Sequence, residues 1–178
     1  MNAETFELAF NGRILQRGFW LYVWEITPPI GPKLYYVGRT GDSASANAQS
    51  PFNRMGQHLG FVKNSNMLRR HLEGRQVRPE QCQFRLIAHG PIESESPSGE
   101  PADHNERRDR VAALEKALAT VMREAGYLVI NEVKCRKMVG AQRFAQIRAA
   151  FSAEFPELAR LSRCETELAS RPNDPEAR

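Results

Sequence analysis

Arg54 and His58 stand four residues apart in a stretch with the marks of a helix, a spacing that brings a guanidinium and an imidazole to one side of it. A guanidinium is permanently charged and planar and holds two oxygens of an anion at once. An imidazole exchanges its proton near neutral pH. Together they suit an anion site with a proton carrier beside it, or they are an ordinary solvated arginine and histidine. Tyr22 and Tyr36 lie in strand-like runs and add two phenols. A phenol, with a pKa of about 10, is a poor base unless a nearby cation favours the phenolate, and both rings also serve as sheet packing. Glu115 falls at the flank of an apolar helical stripe, where a half-desolvated carboxylate can hold a hard cation or pair with a nearby arginine. Glu106 and Glu124 lie farther from that edge. His71, His89 and His104 have no partner at metal-ligand spacing and read as surface or core residues, and Cys82, Cys135 and Cys164 read as buried packing.

The elements that must position these groups are legible in the pattern. Residues 19–26 and 33–39 are aromatic and β-branched and are separated by a Pro/Gly connection, which predicts an antiparallel hairpin. Alternation places Trp20, Tyr22 and Trp24 on one face and Phe19, Leu21 and Val23 on the other, so both faces should be covered. Ser50-Pro51 predicts a helix start, with Phe52, Met55 and Leu59 on its buried side and Arg54 and His58 nearly opposite. Asn64-Ser65 would cap a short second helix that buries Met67, Leu68 and Leu72. Residues 81–89 alternate as a third strand. Residues 106–125 carry Val111, Leu114, Leu118 and Val121 at helical spacing, with Gly126 as the stop. Further helical pattern covers 141–151 and 156–169.

The order of these residues resembles the GIY-YIG nuclease family. Trp20-Leu21-Tyr22 stands in the place of the first triplet and Tyr36-Val37-Gly38 in that of the second. Arg54 with His58 follows on the next helix, then Glu115 within a long helix and Asn131 just beyond it. The first triplet departs from the pattern at Trp20 and Leu21, and the step from Tyr22 to Tyr36 is 14 residues, longer than in compact members. The resemblance implies a divalent-metal-dependent DNA endonuclease. Arg54 would clamp the phosphate, and Glu115 would bind a single Mg²⁺ or Mn²⁺. Tyr22, Tyr36 and His58 would handle water and protons, with either Tyr22 or His58 as the base. Arg39 and Asn131 would lie on the substrate side, Asn131 as a brace on backbone, and Arg69 and Arg70 would touch DNA. The alternative is a nucleic-acid-binding module on a nuclease-like scaffold that no longer cuts. A purely structural protein, dimerising through helices 141–169, is a third reading.

Charge distribution favours a polyanionic partner. The net charge is +4, but residues 91–106 hold five acids and no Lys or Arg, so the rest of the chain carries +9. Between Arg54 and Arg85 there are seven Lys or Arg against Glu73 and Glu80 alone, a basic surface of the kind that tracks nucleic acid. The acidic stretch reads as a mobile insertion that could act as a flap against non-specific DNA. No run of 18 apolar residues exists to span a membrane. Three scattered cysteines exclude a disulfide framework, and with no signal-peptide pattern they suit the cytoplasm. The expected architecture is α/β (α+β), a small three-stranded antiparallel sheet flanked by helices. It divides into an N-terminal segment over 1–17, a nuclease-like domain over 18–135 containing the 91–106 insertion, a C-terminal helical extension over 136–170 that could pair two copies, and a disordered tail over 171–178.

Overall fold

β1 (Phe19–Thr27) is apolar on both faces, and such a strand is stable only where both are covered. The computed structural model, which describes residues 3–42, 47–95 and 100–161, places it at the centre of a three-stranded sheet. β2 (Leu34–Arg39) and β3 (Gln83–Glu93) flank it, both antiparallel. The β1–β2 register sets Tyr22 opposite Gly38 and Trp24 opposite Tyr36, so these side chains share one face. The chain is α+β: a small antiparallel sheet with helices on both sides.

One face carries Phe19, Leu21, Val23, Tyr35 and Val37. It is covered by α3 (Pro101–Glu124) through Val111, Leu114, Leu118 and Met122, and by α4 (Ala141–Ser152) through Ile147 and Phe151. Phe155 and Leu158, beyond α4, complete the same core. Residues 136–161, expected as part of a helical extension, thus contribute large side chains to the core that holds the sheet. The other face carries Tyr22, Trp24, Ile26, Leu34 and Tyr36. α2 (Met67–Glu73) covers it with Leu68 and Leu72, and α1 (Pro51–Leu59) adds Met55 and Leu59. After α3, Gly126 takes φ +86° and turns the chain back. Residues 127–130 then run parallel to β2, joined by Tyr35 N–H to Leu128 O at 2.9 Å and Ile130 N–H to Tyr35 O at 2.8 Å.

Several expectations are corrected. α1 starts as its sequence indicates, with Ser50 Oγ accepting from Asn53 N–H at 3.3 Å and Pro51 in the first turn. Its rotation differs: Pro51 and His58 are the buried residues, while Phe52, Met55 and Leu59 are only half-buried. The reason is polar, because a buried phenol on the sheet must be met by a partner and His58 supplies it. Phe52 finds cover instead against Phe10 of the N-terminal segment, with ring centroids 5.0 Å apart. α2 begins after Asn66 rather than at Asn64-Ser65, and Met67 is exposed. Cys82 and Cys135 are half-buried, not core residues.

The acidic stretch is not a free insertion. β3 continues through Glu93 and α3 begins at Pro101, so both ends of 91–106 belong to regular elements. Four of its acids are matched to arginines. Glu93 bonds Arg110 at 2.7 Å and Arg143 at 2.6 Å, Glu95 forms an ion pair with Arg17 at 2.9 Å, Asp103 bonds Arg107 at 3.0 Å, and Glu106 bonds Arg110 at 2.5 Å. Residues 43–46 and 96–99, Cys164, the end of the 156–169 helical pattern and the 171–178 tail lie outside the described residues. No helix among the described residues is long and apolar enough to cross a membrane.

If α4 shares the sheet's core, Phe151→Ala should lower stability by about 3–5 kcal/mol. Fluorescence of Trp20 and Trp24 during urea unfolding should report that loss in a single shifted transition. An unshifted midpoint would make the C-terminal helix an independent appendage.

Candidate active site

Gly38 lacks a side chain where the Tyr22 ring crosses β2. A Cβ there would lie 2.6 Å from both Cζ and Oη of Tyr22, well inside contact distance. That absence lets the ring lie flat along the strand and aim its hydroxyl past the sheet edge at α1. There Tyr22 Oη and His58 Nε2 are 2.6 Å apart, and both side chains are buried. Tyr36, on the same sheet face, sets its ring against His58 at 5.1 Å and against His71 of α2 at 5.8 Å.

Arg54 lies one turn before His58 and so arrives on the same side of α1. Its Nη2 donates to Asp42 Oδ2 at 2.8 Å and its Nη1 to Gln57 Oε1 at 3.0 Å, while its buried Nε has no hydrogen-bond partner among the described residues. Across the sheet edge, Arg39 follows strict strand alternation and points to the α3 side. Its Nε donates to Glu115 Oε2 at 2.8 Å, with side chains 16% and 14% exposed. Arg39 Nη1 is buried and unpartnered among the described residues. The pairing of Glu115 with an arginine, left open by the sequence, is what forms here.

Burial dominates the ionisation of Tyr22, Tyr36, His58 and Glu115. It raises the Tyr22 phenol well above its ordinary range, although the Arg54 charge opposes it. Tyr36 is raised by burial and then by the Glu115 charge. His58 is lowered to about 3 by burial, with Arg54 adding to the effect. Glu115 is raised to about 7 because burial outweighs its arginine partner. A resting phenolate at Tyr22 is therefore disfavoured, and His58 is neutral at neutral pH. The pair forms one unit in which a phenol and a neutral imidazole share a hydrogen bond.

The remaining candidates fall elsewhere. Asn131 accepts from Val37 N–H at 3.0 Å and donates to Val37 O at 2.7 Å, so its amide braces β2 rather than facing a substrate. Arg69, expected as a DNA contact, is held in a clip. It donates to Leu59 O and to Glu80 at 2.8 Å, reaches Glu73 at 3.3 Å, and stacks over Phe61 at 4.3 Å. Arg70 is exposed on α2. Asp42 and His71 belong to the cluster and were not singled out from sequence. Asp42 sits in a loop with no periodicity to connect it to Arg54. His71 had a signal, since it lies three residues after the buried Leu68 and therefore near the inward face of α2.

No group of three or more His, Cys, Asp or Glu side chains that could hold a metal ion occurs among the described residues. The acidic donor at the cluster is Glu115, with the Asp42 charge close enough to act on it. One hard carboxylate fits Mg²⁺ or Mn²⁺ in a site whose other positions go to phosphate oxygens and waters. A groove of about 930 Å³ between α3 and α4, lined by Ala113, Ala117, Phe144 and Ala145, contains none of these groups. Comparison of the chain with protein-family models, with curated proteins and with solved structures finds no match.

The ionisation of His58 has a measurable sign. Its folded pKa lies below the ordinary value of 6.5, so its neutral form contributes stability above pH 6.5 that is lost as pH falls toward 3. Glu115, raised to about 7, acts oppositely: it contributes stability at low pH that is lost as pH rises to 7, and it cancels between two variants that both retain it. His58→Gln should therefore be less stable than wild type by about 1–3 kcal/mol at pH 7. The two should converge as pH falls to 4.5, read by urea unfolding at both values. A gap that stays constant would mean that His58 titrates normally in the fold.

Proposed function

We propose that the protein is a divalent-metal-dependent endonuclease that hydrolyses phosphodiester bonds in DNA with a GIY-YIG-like site. The observation that carries this reading is the convergence of Tyr22, Tyr36, Arg54 and His58, with Glu115 at the same sheet edge, around the 2.6 Å Tyr22–His58 contact. Hydrolysis requires a water made nucleophilic, stabilisation of charge on the pentacovalent phosphorus, and a path for the proton.

Each group has a role its environment suits. Arg54, with an unpartnered Nε and a charge fixed at any working pH, holds the phosphate oxygens. Tyr22 Oη takes the proton from the attacking water as its own proton passes to His58 Nε2. That transfer is uphill in the free protein, because burial and Arg54 both disfavour an imidazolium. A bound phosphate changes the balance, since its negative charge offsets Arg54 and grows toward the transition state. Tyr36 packs against His58 and holds the imidazole in place. Glu115 would hold Mg²⁺, which when bound polarises the phosphate and lowers the pKa of coordinated water. With Glu115 paired to Arg39, affinity for the ion alone should be weak and should rise when DNA supplies further oxygens.

The competing reading is a DNA-binding module that does not cut. It is favoured by the Arg39 guanidinium seated on Glu115. One assay separates the two. With Mg²⁺ or Mn²⁺, and not with EDTA, the protein should nick supercoiled plasmid, and Arg54→Ala or Glu115→Ala should each reduce the rate by at least about 10²-fold. A folded wild type that leaves the plasmid intact while binding it would support the module. Unchanged nicking in both variants would overturn the residue assignment.

A further inference from the structure

Many basic side chains among the described residues are already paired with acids. Arg17, Arg107, Arg110 and Arg143 pair with acids of the β3–α3 connection and its flanks. Arg69 pairs with Glu73 and Glu80, and Arg85 with Glu154. The basic surface expected between Arg54 and Arg85 is thereby reduced, leaving Lys63, Arg70, Arg75 and Arg78 without an acidic partner among the described residues, with Arg75 bonded to the backbone oxygens of His71 and Ile130. The acids of 91–106 neutralise their own side of the molecule.

The densest group of uncommitted cations is elsewhere. Lys134, Arg136 and Lys137 are exposed in the segment between Asn131 and α4, which forms neither helix nor strand, and none of the three pairs with an acid among the described residues. The segment is anchored to the scaffold at two points. Asn131, just before it, bonds the backbone of Val37, one residue from both Tyr36 and Gly38. Lys116, the residue after Glu115, donates to Cys135 O at 2.8 Å, which fixes the basic stretch to the turn of α3 that carries Glu115. Four extended residues reach at most roughly 10 Å between end Cα atoms, the span of about three phosphates along one strand of duplex DNA.

The geometry points to residues 134–137 as a surface on which the backbone of duplex DNA docks, at the mouth of the α3–α4 groove that Lys116 and Lys137 line. This assignment rests on the nuclease reading for the identity of its polyanion. Exposed cations on an anchored loop match a phosphate backbone, which is held by charge and not by sequence. The committed arginines of α2 and β3 match it less well, because each would first have to surrender an acid.

The test uses the full chain in EDTA, with fluorescence anisotropy of a labelled 25-base-pair duplex titrated across a range of NaCl. Lys134→Ala/Arg136→Ala/Lys137→Ala should weaken binding at least about tenfold at 100 mM salt and make the slope of log K against log salt shallower by about 2–3. Its thermal midpoint should stay that of wild type, since all three side chains are exposed. Lys63→Ala/Arg78→Ala should change affinity by less than about twofold. Wild-type affinity and slope in the triple variant would overturn the docking surface, as would a larger loss in the control pair. Either result alongside plasmid nicking by wild type would leave the nuclease reading standing. A wild type that binds no duplex at low salt would overturn both.

Discussion

A buried phenol has to find a hydrogen-bond partner, and the way Tyr22 meets that constraint organises the site. Its ring can reach past β2 only because Gly38 is bare, and its hydroxyl is met by His58 at 2.6 Å. Leaving that hydroxyl unmatched would cost about 1–3 kcal/mol, enough to decide the rotation of a nine-residue helix. With His58 turned inward, Arg54 follows one turn away and its charge falls on Tyr22. Phe52 is carried to the outside, and the N-terminal segment covers it with Phe10. One polar contact thus fixes the relation of β1, β2 and α1.

The charges around this contact are arranged in pairs because burial penalises each alone. Arg54 is balanced by Asp42, and Arg39 by Glu115. In the proposed mechanism both pairs exchange with substrate and ion: a phosphate replaces Asp42 on Arg54, and a cation replaces Arg39 on Glu115. The raised pKa of Glu115 records how incompletely one arginine offsets burial. The low basicity of His58 records its burial and the Arg54 charge beside it. In the proposed mechanism, substrate and ion complete an electrostatic balance that the free protein leaves partial.

Much of the scaffold was legible because its signals are local. The Pro/Gly connection between two β-branched runs, the Ser50-Pro51 start and the stripe of Val111, Leu114 and Leu118 each depend on residues a few positions apart. The two-sided burial of β1 was likewise written in its composition. What escaped depends on tertiary partners. Helical spacing put Phe52, Met55 and Leu59 on the inner side of α1; Met55 and Leu59 do pack on the sheet core, but His58 turns inward beside them and Phe52 is met by Phe10 instead. Asp42 could not be tied to Arg54 without the fold, nor Arg69 to Glu80. The acidic stretch looked solvated because its arginine partners come from three separate places, the N-terminal segment, α3 and α4.

In the proposed mechanism Tyr22 and His58 move a proton as one unit, and a double-mutant cycle on the plasmid-nicking rate reads that coupling. Tyr22→Phe and His58→Gln should each slow nicking by about 10²-fold or more, and the double variant should be no slower than the worse single one. Losses that multiply in the double variant would contradict the account, because they would mean that the phenol and the imidazole act independently.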